Sequence, residues 1–209
     1  VKIGDTEMAE RTVVKKVENA VLYSDGTILL KNLRASYPHV LVPREQDNDD
    51  GKKTKRWDLV GLMQKSTHRA AKDLVKGEID RILAEKKAKV AADKRFLKNG
   101  DDAGKDGYEG HYTISASETK KPIVKDRDKR KMTDDEDDRF YGGCWVNALI
   151  RPWYQDNKYG KRVNAGLVAV QFLRDGEPMG EGSRISEDDV DETFDDESQG
   201  WEDSEGDDL

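Results

Sequence analysis

The feature that most constrains this chain is a side-chain alternation of period two. From residue 139 to residue 154 it reads R-F-Y-G-G-C-W-V-N-A-L-I-R-P-W-Y. In an extended strand successive side chains point to opposite faces. Cys144, Val146, Ala148 and Ile150 then share a small apolar face suited to a core, and Trp145, Asn147, Arg151 and Trp153 share the other. Two indoles, an amide and a guanidinium on one face leave two readings open. Flat rings beside fixed positive charge stack nucleobases and hold phosphates. Indoles also cover a neighbouring layer of a folded core.

Charge divides the chain. Residues 187–209 contain thirteen Asp and Glu and no Lys or Arg. Taking those thirteen from the 44 acids leaves 31 against 37 basic residues, so residues 1–186 carry about +6 and the last 23 about −13. A basic body attracts polyanions, and a tethered acidic segment competes for the same surface. The expected division is an N-terminal extension over 1–20, a folded domain over 21–186 and a disordered acidic tail over 187–209, too charged to pack. One cysteine, Cys144, excludes an intrachain disulfide and a multi-cysteine metal site, pointing to a reducing compartment. No apolar run reaches membrane-span length, and the opening V-K-I-G-D-T lacks a signal-peptide core, so a soluble intracellular protein is expected.

Strand signals occur over 12–17, 27–37, 57–63, 110–117, the opening stretch and 164–173. Pro38 is expected to end the second of these, with Leu29, Leu33, Ala35 and Tyr37 on one face. Residues 43–53 read as a loop. Apolar residues at three- and four-residue spacing predict a helix over 68–97, with Ser66 or Thr67 as N-cap and Ala71, Leu74, Val75, Ile79, Ile82, Leu83 and Val90 facing inward. Five principal strands with one long helix between the second and third make an α+β, mostly antiparallel arrangement. Tyr112 and Phe172, well inside strands, are expected in the core.

Catalytic signatures are weak. Gly100 to Lys105 reads G-D-D-A-G-K, one residue short of a phosphate-binding loop. His39, His68 and His111 show no ligand spacing, and Cys144, flanked by apolar alternates, reads as a buried thiol. No cofactor and no metal are expected. Asp134, Asp135, Glu136, Asp137 and Asp138 form the one carboxylate cluster that suits magnesium, which keeps a metal-dependent nuclease as an alternative. A DNA-mimicking inhibitor acting through the tail is another.

Binding chemistry is better represented. Trp57, Tyr141, Trp145, Trp153, Tyr154 and Tyr159 all lie within a few residues of Lys or Arg and are the stacking candidates. Lys53, Lys55, Arg56, Lys120, Lys121, Lys125, Arg127, Arg151, Lys161 and Arg162 are the phosphate candidates. Arg151 and Trp153 are the favoured DNA-facing pair, whereas Trp145 beside two glycines also suits a structural role. In the tail, Phe194, Trp201 and Leu209 offer apolar grips to a partner.

A strand ending S-Y-P, then G-H-Y-T-I-S-A-S, F-Y-G-G-C-W-V-N-A and G-L-V-A-V-Q-F-L-R-D-G-E-P-M-G, together resemble a family of bacteriophage single-stranded DNA-binding proteins. The likeness spans about residues 25–182 and is most specific at 141–145 and 166–180. It implies an OB-fold-like five-stranded antiparallel barrel with the helix inserted between strands. It also implies a non-enzymatic role coating single-stranded DNA in phage replication and recombination, in the cytoplasm of the infected bacterial host. The acidic tail would meet replication or recombination proteins. Its tip, Asp207-Asp208-Leu209, departs from the phenylalanine ending usual in bacterial tails, which bears on host partners. Oligomeric state is left open.

Overall fold

The computed structural model describes residues 10–48 and 51–179. The tail from residue 187, with Phe194, Trp201 and Leu209, lies outside them, as do residues 1–9. In chain order the elements are β1 (Val13–Val17), β2 (Ala20–Tyr23), β3 (Ile28–Asp47), β4 (Lys53–Gln64), α1 (Arg69–Glu85), β5 (Leu97–Asn99), β6 (His111–Glu118), β7 (Ile123–Lys125), β8 (Trp145–Asn157) and β9 (Gly160–Arg174). The protein is mostly β with one main helix, and the described residues form nine strands of one sheet where five principal strands are expected. Its order is β5-β6-β4-β3-β8-β9-β7, with β2 on β3 and β1 on β2. All these pairings are antiparallel except β7 with β9.

The alternation in β8 sorts residues as the sequence predicts. Cys144, Val146, Ala148 and Ile150 are buried, while Trp145 and Asn147 are partly covered and Arg151 and Trp153 exposed. Both irregularities in its pairing with β9 fall on β9. Val168 and Leu173 are passed over between Leu149/Ile150 and Trp145/Val146. Each is a bulge, one extra residue against an unbroken partner.

Three expectations change. The strand predicted to stop at Pro38 continues to Asp47. Pro38 sits where the register slips between Ser36 and His39, a place where a missing N–H costs no ladder bond. A second slip, between Leu30 and Leu33, surrounds Asn32 at φ 53°. It moves the core face from Ile28 and Leu30 to Leu33 and Ala35, so Leu29 is only partly buried; the slip at Tyr37–Pro38, with Tyr37 at φ 46°, then turns Tyr37 outward to 62% exposure. The helix ends at Glu85, not Leu97, because Lys87 turns left-handed (φ 49°) and the Ala88 N–H closes back on the Leu83 carbonyl. Neither Ser66 nor Thr67 caps it; the N-cap position is His68, without a side-chain cap bond. The apolar inward residues of α1 are those predicted, joined by a buried Glu78 that pairs with Arg81 at 2.7 Å, while Val90 reaches the core from the following loop.

Beyond α1, Phe96 donates its N–H to Val163 of β9 at 2.9 Å and accepts from Ser115 of β6 at 3.0 Å, so one residue ties those strands together. The core beneath includes Leu33, Ile150, Leu167 and Ile79, and Phe140 meets Phe172 edge to face at 5.6 Å. Tyr112 packs against its margin.

The two glycines of F-Y-G-G-C-W have a backbone reason. Gly143 sits at φ 115° and donates to the Ala35 carbonyl at 2.8 Å, and a Cβ there would collide with the carbonyl oxygen of Glu177. The Gly142 carbonyl accepts from the Met179 N–H at 2.7 Å. Left-handed backbone alone costs a side chain about 1–3 kcal/mol. Gly143→Ala should therefore lower stability by at least about 1 kcal/mol, read as a fall in the urea midpoint; an unchanged midpoint would contradict the packing of residues 175–179 on this turn.

Candidate nucleic-acid interface

Two antiparallel strand pairs reach outward as ribbons, the second still rooted in the core through Val163 and Ala165. One joins Arg44 to Asp47 of β3 with Lys53 to Arg56 of β4. The other joins Arg151 to Asn157 of β8 with Gly160 to Gly166 of β9. Charged and polar side chains dominate their outer residues because no second layer covers them there. Between the ribbons lies an open groove of about 500 Å³ across β4, β6 and residues 93–98.

Arg44 enters this groove from the first ribbon and Arg162 from the second, with Lys94, Arg95 and Lys98 between them. Against these five cations stand two lining carboxylates, Asp58 and Asp93. Asp58 accepts from Arg44 and pairs with His39 Nδ1 at 2.9 Å. Arg95 is aimed by bonds from Nη2 and Nε to the Val90 carbonyl at 2.8 and 3.1 Å. Tyr37 lines the groove at φ 46°, a rare conformation for an aromatic residue, with the Lys105 ammonium 5.0 Å from its ring.

The sequence-selected residues divide by location. Arg162 lies in the groove, and Trp153, 46% exposed, is paired across β8–β9 with Asn164, another groove residue. Arg151 is exposed on the same ribbon, 3.8 Å from Asp25. Tyr159 occupies the ribbon tip, 58% exposed, with Lys158 4.7 Å from its ring; Lys161 approaches Asp156 at 3.8 Å. On the other ribbon Lys53 bonds Glu45 at 3.0 Å, Lys55 is exposed, and Arg56 Nη1 donates to Ser117 at 3.1 Å.

Four aromatics are held by the protein. Trp57 donates Nε1–H to the Leu41 carbonyl at 3.2 Å. Tyr141 donates to the Gly176 carbonyl at 2.9 Å and accepts from the Gly176 N–H at 3.0 Å; burial raises its phenol pKa. Trp145 lies under Arg174 at 4.4 Å, a contact worth ~0.5–1 kcal/mol at such a site. Tyr154 packs against the core, and its hydroxyl reaches Asp156 at 3.3 Å.

Lys120, Lys121, Lys125 and Arg127 are not groove-lining residues. Lys120 and Lys121 follow β6, with Lys121 bonded to Asp134, and Lys125 on β7 donates to the Lys129 carbonyl at 3.1 Å. The Arg127 carbonyl accepts from Gln171 at 3.3 Å.

The carboxylate cluster over 134–138 is committed elsewhere. Its residues form a short 3-10 turn in which Asp134 meets Lys121, Glu136 accepts from Arg130 at 2.5 and 3.1 Å, and Asp137 accepts from the Val42 N–H at 3.1 Å. Burial pushes the Cys144 thiol up to about 11, which suppresses the thiolate a nucleophile needs.

Tyr37, His39, Arg44, Lys94, Arg95 and Lys98 escape sequence reading. The K-R-F-L-K run at 94–98 carries the cationic signal, but extending the helix to Leu97 conceals it. Tyr37 is masked by the bulge that turns it outward.

Residues 26–200 match the family model of the Enterobacter phage Enc34 single-stranded DNA-binding protein. The C-terminally truncated form of that bacteriophage protein matches with TM-score 0.75 at 38% identity, covering 81% of this chain and 98% of the other. Its complex with single-stranded DNA gives 0.74 at 38% identity, covering 82% and 99%. "Putative protein p50" of Acyrthosiphon pisum secondary endosymbiont phage 1 is 32% identical over 176 residues, 79% of this chain and 92% of that protein. The chain belongs to the Enc34 single-stranded DNA-binding protein family.

The Arg130 pair gives a check on the described ion network. Hydrogen bonding from Arg130, aided by the Thr133 N–H, lowers the Glu136 pKa from 4.5 to about 2. Its stabilising contribution is present above pH 4.5 and lost as pH falls through about 2. Carbon-detected NMR titration should place the Glu136 midpoint near 2; a midpoint near 4.5 would mean the pair does not form in solution.

Proposed function

We propose that this protein binds single-stranded DNA without catalysing a reaction, and that the strand crosses the groove between the two ribbons. The observation that carries this reading is the convergence of Arg44 and Arg162, from separate hairpins, on a groove that also exposes Tyr37. Phosphates meet the guanidinium and ammonium groups while bases stack on exposed rings. The ion pairs that DNA must displace, such as Lys53–Glu45 and Lys161–Asp156, are solvent-exposed. Exposed pairs are worth ~0.2–1 kcal/mol, so their exchange for phosphate is cheap.

The proposed contact set keeps Lys53, Lys55, Arg56, Arg151, Trp153, Tyr159, Lys161 and Arg162 and adds Tyr37, His39, Arg44 and Lys98. Trp57, Tyr141, Trp145 and Tyr154 serve packing, on the strength of their hydrogen bonds and core contacts. Lys120, Lys121, Lys125 and Arg127 add general attraction from outside the groove. An OB-type barrel built from β3, β4, β6, β8 and β9 is supported by the double engagement of Phe96 with β6 and β9.

Within this reading the protein coats single strands during phage replication and recombination in the host cytoplasm. The folded domain spans 21–186 after an extension over 1–20, and residues 187–209 compete with DNA for the groove and engage partner proteins once displaced. Charge supports that role: thirteen acids without a compensating base oppose a body of about +6.

Fluorescence anisotropy with labelled oligonucleotides over a salt series tests the central claim. Arg44→Ala and Arg162→Ala should each weaken single-strand binding and reduce the slope of log affinity against log salt by about 0.7. Binding should quench tryptophan emission, and Trp153→Phe should remove most of that quenching. Undiminished binding by the Arg44/Arg162 double variant would displace the strand from this groove. Deleting residues 187–209 should tighten binding most at low salt and extend it to duplex DNA; unchanged affinity would leave the tail a solubility segment.

A further inference from the structure

A second groove, about 760 Å³, runs between α1 and the outer face of β5 and β6. It shares Val60, Asp93, Arg95, Lys98 and Ser115 with the first, so the two are continuous. Its size falls within the roughly 300–1,000 Å³ of ligand-binding clefts.

The lining sorts by chemistry. Val60, Ala92, Leu97 and Ala103 supply apolar surface and the half-buried Tyr112 an aromatic wall, while Tyr108 and Ile79 are buried behind them, Tyr108 hydrogen-bonded to Ser36 at 2.9 Å. Lys72, Lys76, Arg95, Lys98 and Lys105 bring five cations against Asp93 and Asp102. Apolar surface with a flat ring inside a cationic border suits a strand whose bases face in and whose phosphates face out. A neutral apolar ligand would have no use for that border.

The aromatic rings already carry cations. Lys65 and Lys72 place ammonium groups 5.3 and 5.4 Å from the Tyr112 ring, and Lys105 lies 5.0 Å from Tyr37 and 5.5 Å from Tyr108. Lys105 therefore spans the junction, since Tyr37 lines the first groove and Tyr108 the second. The acids that hold these lysines are exposed: Lys72 pairs with Asp73 at 2.5 Å and Lys76 with Asp80 at 2.7 Å. Such pairs yield to phosphate at small cost.

We propose that the groove beside α1 is a second segment of the single-stranded DNA path, entered at Lys98 and Lys105 and bordered by Lys72 and Lys76. This rests on the single-strand reading of the first groove. The two grooves together carry eight cations against three carboxylates, a net charge of about +5, comparable to the +6 of the whole body. Short strands fill the first groove and only longer ones reach the second.

Length-dependent binding tests it. Oligothymidylates of about 6 and about 16 nucleotides bracket the upper range for one OB-type site (~4–16). Lys72→Ala/Lys76→Ala introduces the best helix former on α1, so folding is preserved. The double variant should bind the short oligomer within twofold of the native protein and the long one several-fold more weakly. Its salt slope for the long oligomer should fall by about 1.4. Equal affinities for both lengths relative to the native protein, or equal weakening of both, would overturn the proposal. Arg44→Ala should weaken both lengths. If it weakens neither, or the native protein binds neither oligomer, the first-groove reading fails and this extension falls with it.

Discussion

The structure depends on a backbone interlock at the start of β8. Gly143 N–H and Cys144 carbonyl bond Ala35 of β3 on one side, while Gly142 accepts from Met179 on the other. Arg34 adds a bond from Nη2 to the Glu177 carbonyl at 2.6 Å, and Tyr141 grips Gly176 in both directions. This ties three segments distant in sequence at the point where β8 joins the sheet. The two sequence stretches that most specifically resemble phage single-strand binders, 141–145 and 166–180, thus meet each other. Their shared character is explained by mutual packing before any ligand is invoked, and Trp145, under Arg174, belongs to that packing.

With the sheet fixed there, the hairpins can project charged residues without threatening the fold. Lys53 and Lys161 are balanced by the exposed carboxylates Glu45 and Asp156, pairs of little energetic worth to the folded state, whereas Arg44 rests on the mostly covered Asp58. Weakly held charge is what a polyanion can recruit. The same economy explains a chain with 39% charged residues that still encloses a continuous core.

Legibility followed the regularity of each element. β8 was readable because its alternation is unbroken, and the inward face of α1 because its spacing is periodic. β3 was not, because Asn32 and the Tyr37–Pro38 step each change its phase, and neither position carries a glycine to announce it. The helix end is hidden for a related reason: Lys87, not glycine, takes the left-handed turn. The same irregularities hide part of the candidate site: Asp93, Lys94, Arg95 and Phe96 fall within the helix expected over 68–97, and Tyr37 on a face expected to be core. Charge and aromatic proximity single out the Arg151 to Arg162 ribbon, and the two glycines beside Trp145 already set it apart from Trp153; the tertiary cover of Trp145 by Arg174 is what the sequence does not show.

The bulges at Val168 and Leu173 give β9 a particular duty. β8 runs without interruption, so it fixes the phase of the pair, and β9 absorbs the mismatch between one end of the sheet and the other. Across the bulge at Val168 the inward set carries on in step with β8: Val170, Leu167, Ala165 and Val163 are buried and Arg162 is exposed. The extra residue instead bends β9 and increases its local twist. The direction in which the far ribbon presents its cations is thus set in part by a spacer that does not line the groove.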